Sequence, residues 1–289
     1  MSSRITAGWT SRLKYMTNTH TVIEPSSAYK PVNFREIWDF RDLVLSLANR
    51  DVTLRYRQTV LGVVWVLLQP LLQSAIMAVV FSRIAHLKTD GLPAFAYIFV
   101  GMSVFNLFSS IVTKASTSLL SNAALVSKVF FPRLILPFAA AFSSLIDFAV
   151  SIVAAILIMA VYHIIPAWTI IFLPVCILFV ILLAEGISCF AAAWMVVYRD
   201  IQFVIPVMLP LLMYASPVAY AMEAIPKRWQ LLFAANPITG LLEAFRWCIF
   251  GRGYLNVGQV VYAMAVSILF FAVGTINFKR VEKRFADVI

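Results

Sequence analysis

Charge is what this chain has least of. Lys, Arg, Asp and Glu together make up 12% of its 289 residues, and only 13 are acidic. A soluble domain carries about 25%. Histidine is confined to His20, His86 and His163, far apart, and the three cysteines (Cys176, Cys189, Cys248) show no metal-like spacing. That argues against a His- or Cys-based metal site and reads the cysteines as packing residues. None of the ten glycines precedes a lysine, so no G-x-x-x-x-G-K-[ST] phosphate loop exists. No long polar stretch could house a soluble catalytic domain. Energy for any work must come from an ion gradient or from another polypeptide.

What the chain has is apolar length. Hydrophobic residues form 62% of it and the mean hydropathy is +0.90. Crossing about 30 Å of hydrocarbon at about 1.5 Å per residue takes roughly 20 apolar residues. Runs of that kind lie near 60–82, 94–112, 134–161, 168–197, 201–221 and 259–278. They are apolar all round rather than alternating, so they predict six transmembrane helices. The first run starts after a charged region, so no cleavable signal peptide is predicted and the first span acts as an uncleaved anchor. With both termini on one side, seventeen of the 23 Lys and Arg fall on that face and six on the other. The positive-inside rule then predicts cytoplasmic termini. Basic residues flanking spans suit anionic lipid headgroups, not nucleic acid.

Four polar or interrupted segments organise the rest. Residues 1–32 read as a cytoplasmic leader and 33–58 as an interface helix with its linker. In the latter, Asn33 and Glu36 resemble a capping box. Arg35, Asp39, Asp42, Ser46, Asn49 and Arg50 share one stripe of an otherwise apolar helix over 34–50, suited to lie in the membrane interface or on another cytoplasmic protein. Residues 59–289 hold the spans. The loop after the second span reads as a short cytoplasmic helix, about 117–128, ended by Pro132. Between the fifth and sixth spans, 222–250 contains an apolar stretch too short to cross, and it predicts a re-entrant hairpin from the outer side. Surface helices capping that side are the alternative.

The chemistry-bearing residues are few. Asp147 in the third span and Glu185 in the fourth would be the acids of a proton-coupled transporter, and the sequence offers them no basic partner within the spans. Trp65, Gln69, Tyr97, Tyr214 and Tyr220 are aromatic and amide groups suited to a conduit for sugar rings. The competing reading makes the aromatics lipid-facing anchors.

Arg55-Tyr56-Arg57-Gln58-Thr59-Val60-Leu61-Gly62-Val63-Val64-Trp65 with Gln69-Pro70 resembles the first-span signature of permease subunits of ABC-type bacterial polysaccharide exporters, the O-antigen, capsule and teichoic-acid group. Asn122–Lys128 with Phe131-Pro132-Arg133 and Pro137, Tyr198–Ile201, Ser216-Pro217-Val218, Asn236-Pro237 and Glu243–Arg246 match further blocks in order, from about residue 34 onward. The resemblance implies an all-α membrane protein of the bacterial inner membrane that pairs with a second copy of itself and with two ATP-binding subunits. This chain would bind no cofactor, leaving ATP and Mg to those partners, so it would be no enzyme itself. Its substrate would be a lipid-linked polysaccharide, passed through a channel at the homodimer interface. Ser121, Asn122, Leu125, Val126 and Lys128 would couple to the ATPase, and Asn236, Pro237, Glu243 and Arg246 would belong to the gate. Three other classes compete: an ABC exporter of small lipids or drugs, an ion-coupled transporter, and a membrane glycosyltransferase or polymerase. The last lacks an acidic loop to hold a metal.

Overall fold

The computed structural model describes residues 34–57, 64–84, 91–253 and 255–282. The leader, the proposed cap at Asn33 and the linker around Gln58–Gly62 lie outside the described residues. Within them the chain is all-helical, as expected where hydrocarbon forces each segment to satisfy its own backbone hydrogen bonds.

Four helices have the length and composition of a membrane crossing: α4 (Ala94–Ser121), α6 (Ile135–Val161), α7 (Leu173–Val197, continued upstream by a 3-10 turn at Trp168–Phe172) and α11 (Val257–Val281). The other two expected spans hold shorter helices. The α3 helix (Val64–Ala78) contains Pro70 and runs into a π turn at Val79–Ile84, and α8 (Ile201–Tyr214) contains Pro206 and Pro210. Each proline removes an amide donor and crowds the preceding turn, which interrupts a regular rod. The chain is a multi-pass membrane protein.

The α4 helix is the hub. Of its apolar window 78% is buried, against 33%, 33% and 17% for α6, α7 and α11. It packs on α6 and α7, while α7 lies against α11. The α7–α11 crossing is set by glycine: a Cβ on Gly274 would collide with the Gly186 carbonyl, so the backbones touch only because neither residue has a side chain.

The short helix expected at about 117–128 divides at Asn122, because α4 runs on from the second span to Ser121. The polar side chains there are satisfied within the helix: the Thr117 hydroxyl donates to the Thr113 carbonyl at 3.0 Å, Ser118 to Ala115 at 2.7 Å and Ser121 to Thr117 at 3.0 Å. Asn122 then leaves helical geometry, and a short helix, α5 (Ala123–Lys128), follows. At the amino end the expected single helix over 34–50 is two, α1 (Phe34–Asp39) and α2 (Arg41–Arg57), broken at Phe40. Leu47 and Ala48 of α2 are buried, and α2 packs on α6. Trp38 and Leu54 are exposed.

The apolar interior divides in two. A large core lies among α4, α6, α7 and α10 (Pro237–Phe250). A smaller one joins Leu47, Leu119, Val126, Phe131, Ile135, Val196 and Phe278, drawing together six helices.

Candidate gate clamp and coupling surface

The segment 222–250 folds as α9 (Lys227–Ala235) followed by α10. Asn236 caps α10, its Oδ1 accepting from the Ile238 amide at 3.1 Å, and Pro237 occupies the first turn, where a missing N–H costs nothing. Gly251 closes the helix with φ of 63°, and a Cβ there would strike Ala167. Twelve of the fourteen α10 residues are buried.

Two of those twelve are charged. Arg246 is 2% exposed and Glu243, one turn before it, 4%; they form an ion pair at 3.2 Å. The guanidinium donates from Nη1 to the Pro217 carbonyl at 2.7 Å and to the Tyr97 hydroxyl at 3.0 Å, and from Nη2 to the Val218 carbonyl. Its carbon lies 3.9 Å from the Tyr97 ring centroid, a cation–π contact. Gly101, one turn along α4 from Tyr97, leaves the room: a Cβ there would fall on Nη2. The Asn236 amide adds a bond to the Ser216 hydroxyl at 2.9 Å. One arginine and one asparagine thus hold the exit of α8 against α10 and α4. Three of the recurring blocks, Ser216–Val218, Asn236-Pro237 and Glu243–Arg246, meet here although separated by up to thirty residues in the chain.

The residues expected to line a conduit separate. Trp65, Gln69 and Tyr214 are exposed, on α3 and α8. Tyr97 is 2% exposed and belongs to the clamp. Tyr220 is half-buried, donates to the Tyr214 carbonyl at 3.0 Å and packs against Phe81 and Phe233.

At the opposite end, Asn122 sits at the turn between α4 and α5. Its Oδ1 accepts from Arg50 Nη2 at 2.8 Å, and its Nδ2 donates to the Ser118 carbonyl at 2.9 Å. Ser121, the last residue of α4, is exposed, as are Ala124 and Lys128, one turn apart on α5, whereas Val126 is buried in the smaller core and Leu125 is intermediate. Phe130, just beyond, is 85% exposed. Arg133 donates to the Glu282 carbonyl at 2.9 Å, pinning the following linker to the end of α11.

The acid at Asp147 is a correction. It has a basic partner, Lys114, at 2.9 Å, with Ser143 beside it. The partner was hidden because the α4 extension carries Lys114 into the helical body. Glu185, the neighbour of Gly186 in α7, is fully buried, with the Cys189 thiol 3.7 Å from its Oε2. No cluster of three metal-ligating side chains occurs among the described residues. Gly101, Arg50 and Lys114 were missed from sequence. Only the helical phase linking Tyr97 to Gly101 could have flagged the first.

Buried cation, capped helices and small-residue crossings define a packed, helical, multi-pass membrane body. Residues 42–250 match the family described as ABC-2 type transporter, and the chain belongs to that family. Among curated proteins it is similar to the O-antigen export system permease protein RfbA of Myxococcus xanthus, 26% identical over 257 residues that span 88% of this chain and 98% of the relative. Two proteins of the same description from Klebsiella pneumoniae are 23% and 24% identical over 249 residues, covering 86% of this chain and 95% of each relative.

Proposed function

We propose that the chain is the transmembrane subunit of an ATP-driven exporter of lipid-linked, O-antigen-like polysaccharide in the bacterial inner membrane, with both termini cytoplasmic. The observation that carries this reading is coverage: the relatives named as O-antigen export permeases align over nearly their whole length. Two copies would enclose the channel, with α3 and α8 completing six spans by pairing across the dimer. Two ATP-binding subunits would dock beneath, seated on the exposed Ser121, Ala124 and Lys128. Val126 would instead anchor α5 to the body, and the Arg50–Asn122 bond would link α2 to the same element. On the outer side, α9 and α10 would form a re-entrant gate hairpin held by the Arg246 clamp. ATP-driven closure of the partners would move α5, and the shift would reach the gate through α4, which touches both ends.

Isolation of the chain from its native membrane in mild detergent, with mass spectrometry of what accompanies it, tests the reading. A stoichiometric ATP-binding subunit is expected. A solitary chain whose transport stops with a protonophore while ATP is present would overturn it and return attention to Asp147 and Glu185.

A further inference from the structure

Cys176 and Cys248 meet inside the protein although 72 residues separate them, and neither the clamp nor the coupling surface uses them. Cys176 lies in the first turn of α7 and Cys248 in the last turn of α10, with their sulfur atoms 3.5 Å apart. Both are free thiols. They sit at the foot of a strap. The last carbonyls of a helix have no partner within it, and for α10 the segment before α7 supplies one. Thr169 shares its hydroxyl proton between the Trp247 and Cys248 carbonyls, each at 3.0 Å, and the Ala167 amide donates to the Ile249 carbonyl at 3.0 Å. The Phe172 and Trp247 rings pack alongside, centroids 6.4 Å apart. Each of these ties is noncovalent, so α10 can lift from α7 and return. Among the described residues, the cysteine pair is where the same joint can be made covalent.

Burial sets when that happens. Cys176 is 4% exposed and Cys248 2%, so with the strap closed no reagent reaches either sulfur. An oxidant meets them only after α10 has lifted. The topology proposed above puts this joint on the outer side, and the compartment outside a bacterial inner membrane favours disulfides. Cys189, the third cysteine, lies far along α7 beside Glu185 and has no thiol neighbour.

We infer that Cys176 and Cys248 form a reversible disulfide latch that fixes α10, and with it the gate hairpin, to α7. Oxidation closes the latch and reduction releases it. The oxidant is a disulfide of the outer compartment. With α10 lifted, the thiolate of one cysteine attacks a sulfur of that disulfide, giving a mixed disulfide and releasing one thiol. As α10 returns, the second cysteine attacks the mixed disulfide, which forms the Cys176–Cys248 bond and releases the other thiol. The pair loses two electrons and two protons, and the oxidant gains both. The effect on transport rests on the export reading above, whereas the thiol contact does not.

The test uses spheroplasts carrying the full chain, treated with glutathione disulfide, which does not cross the membrane. Mass spectrometry of the chain reads whether the peptides holding Cys176 and Cys248 are joined, and surface polysaccharide reads export. The wild type should yield the joined peptides, with Cys189 left free. Export should stop, then resume on adding dithiothreitol. Depleting ATP beforehand should slow the joining, because α10 then lifts less often. Cys176→Ala removes the latch and leaves α10 intact, and in the oxidant it should export at its own untreated rate. If that variant yields poorly, Cys248→Ala carries the comparison. Free thiols at both positions in treated, exporting spheroplasts overturn the inference. So do joined peptides with export unchanged, and so does an equal arrest of Cys176→Ala, which places the oxidation elsewhere. A chain that forms the joined peptides but is isolated without an ATP-binding subunit keeps the thiol pair and sinks the export reading itself.

Discussion

Two apolar helices, α4 and α8, meet opposite fates. Most of the α4 window is buried, while α8 has no buried residue at all. Hydropathy does not explain this, since α8 reads IQFVIPVMLPLLMY and has a single polar side chain, Gln202. The difference lies in small residues. The α4 helix carries Ala96, Gly101, Ser103, Ala115, Ser116 and Ser118, all buried, whereas α8 contains no Gly, Ala or Ser. In a membrane, lipid is as apolar as leucine, so helices bury themselves by close backbone approach and satisfied hydroxyls. The α4 helix is thus an anchor. The α8 helix lies loosely on the body and is clamped just beyond its C-terminal end.

That contrast can be broken at graded strength. Arg246→Ala breaks the buried ion pair with Glu243 and the bonds to the Pro217 and Val218 carbonyls, with an expected loss of about 3–5 kcal/mol. It should appear as a collapse of the thermal midpoint in detergent. Glu243→Leu together with Arg246→Met should restore most of it, and equal damage from the single and double variants would show that the two charges do not act as a pair. Gly274→Ala forces apart the backbones of α7 and α11, with an expected cost of about 1–3 kcal/mol, read by the same midpoint. Asn236→Ala removes the cap of α10 and its link to Ser216, and about 1 kcal/mol is expected. Leu211→Ala on exposed α8 should fall within about 0.5 kcal/mol in detergent; a larger loss would mean α8 is packed after all. Lys128→Glu should be equally silent in stability, yet reduce the ATP-binding subunit recovered with the chain.

Helix type, the four long spans and the interruption at 222–250 were legible because hydrocarbon leaves periodicity and length as open signals. The end of α4 was not. Ser116, Thr117, Ser118 and Ser121 read as a polar segment leaving the membrane until their hydroxyls are seen bonding back to the helix's own carbonyls. That misplacement concealed Lys114 and left Asp147 seemingly alone. The clamp was half legible: its blocks were visible as separate motifs, but their convergence depends on tertiary contact, and Gly101 carries no chemistry to announce itself. Tyr97, chosen for its aromatic ring, serves as a hydroxyl acceptor and a cation platform in a sealed site.

The clamp bonds to the carbonyls of Pro217 and Val218 rather than to their side chains. Arg246 therefore senses the path of the chain and is indifferent to its spelling at Val218. Substitutions there can drift without loosening the grip, but a one-residue insertion or deletion between Tyr214 and Val218 would present the guanidinium with the wrong peptide units. Over evolutionary time this stretch should hold constant in length.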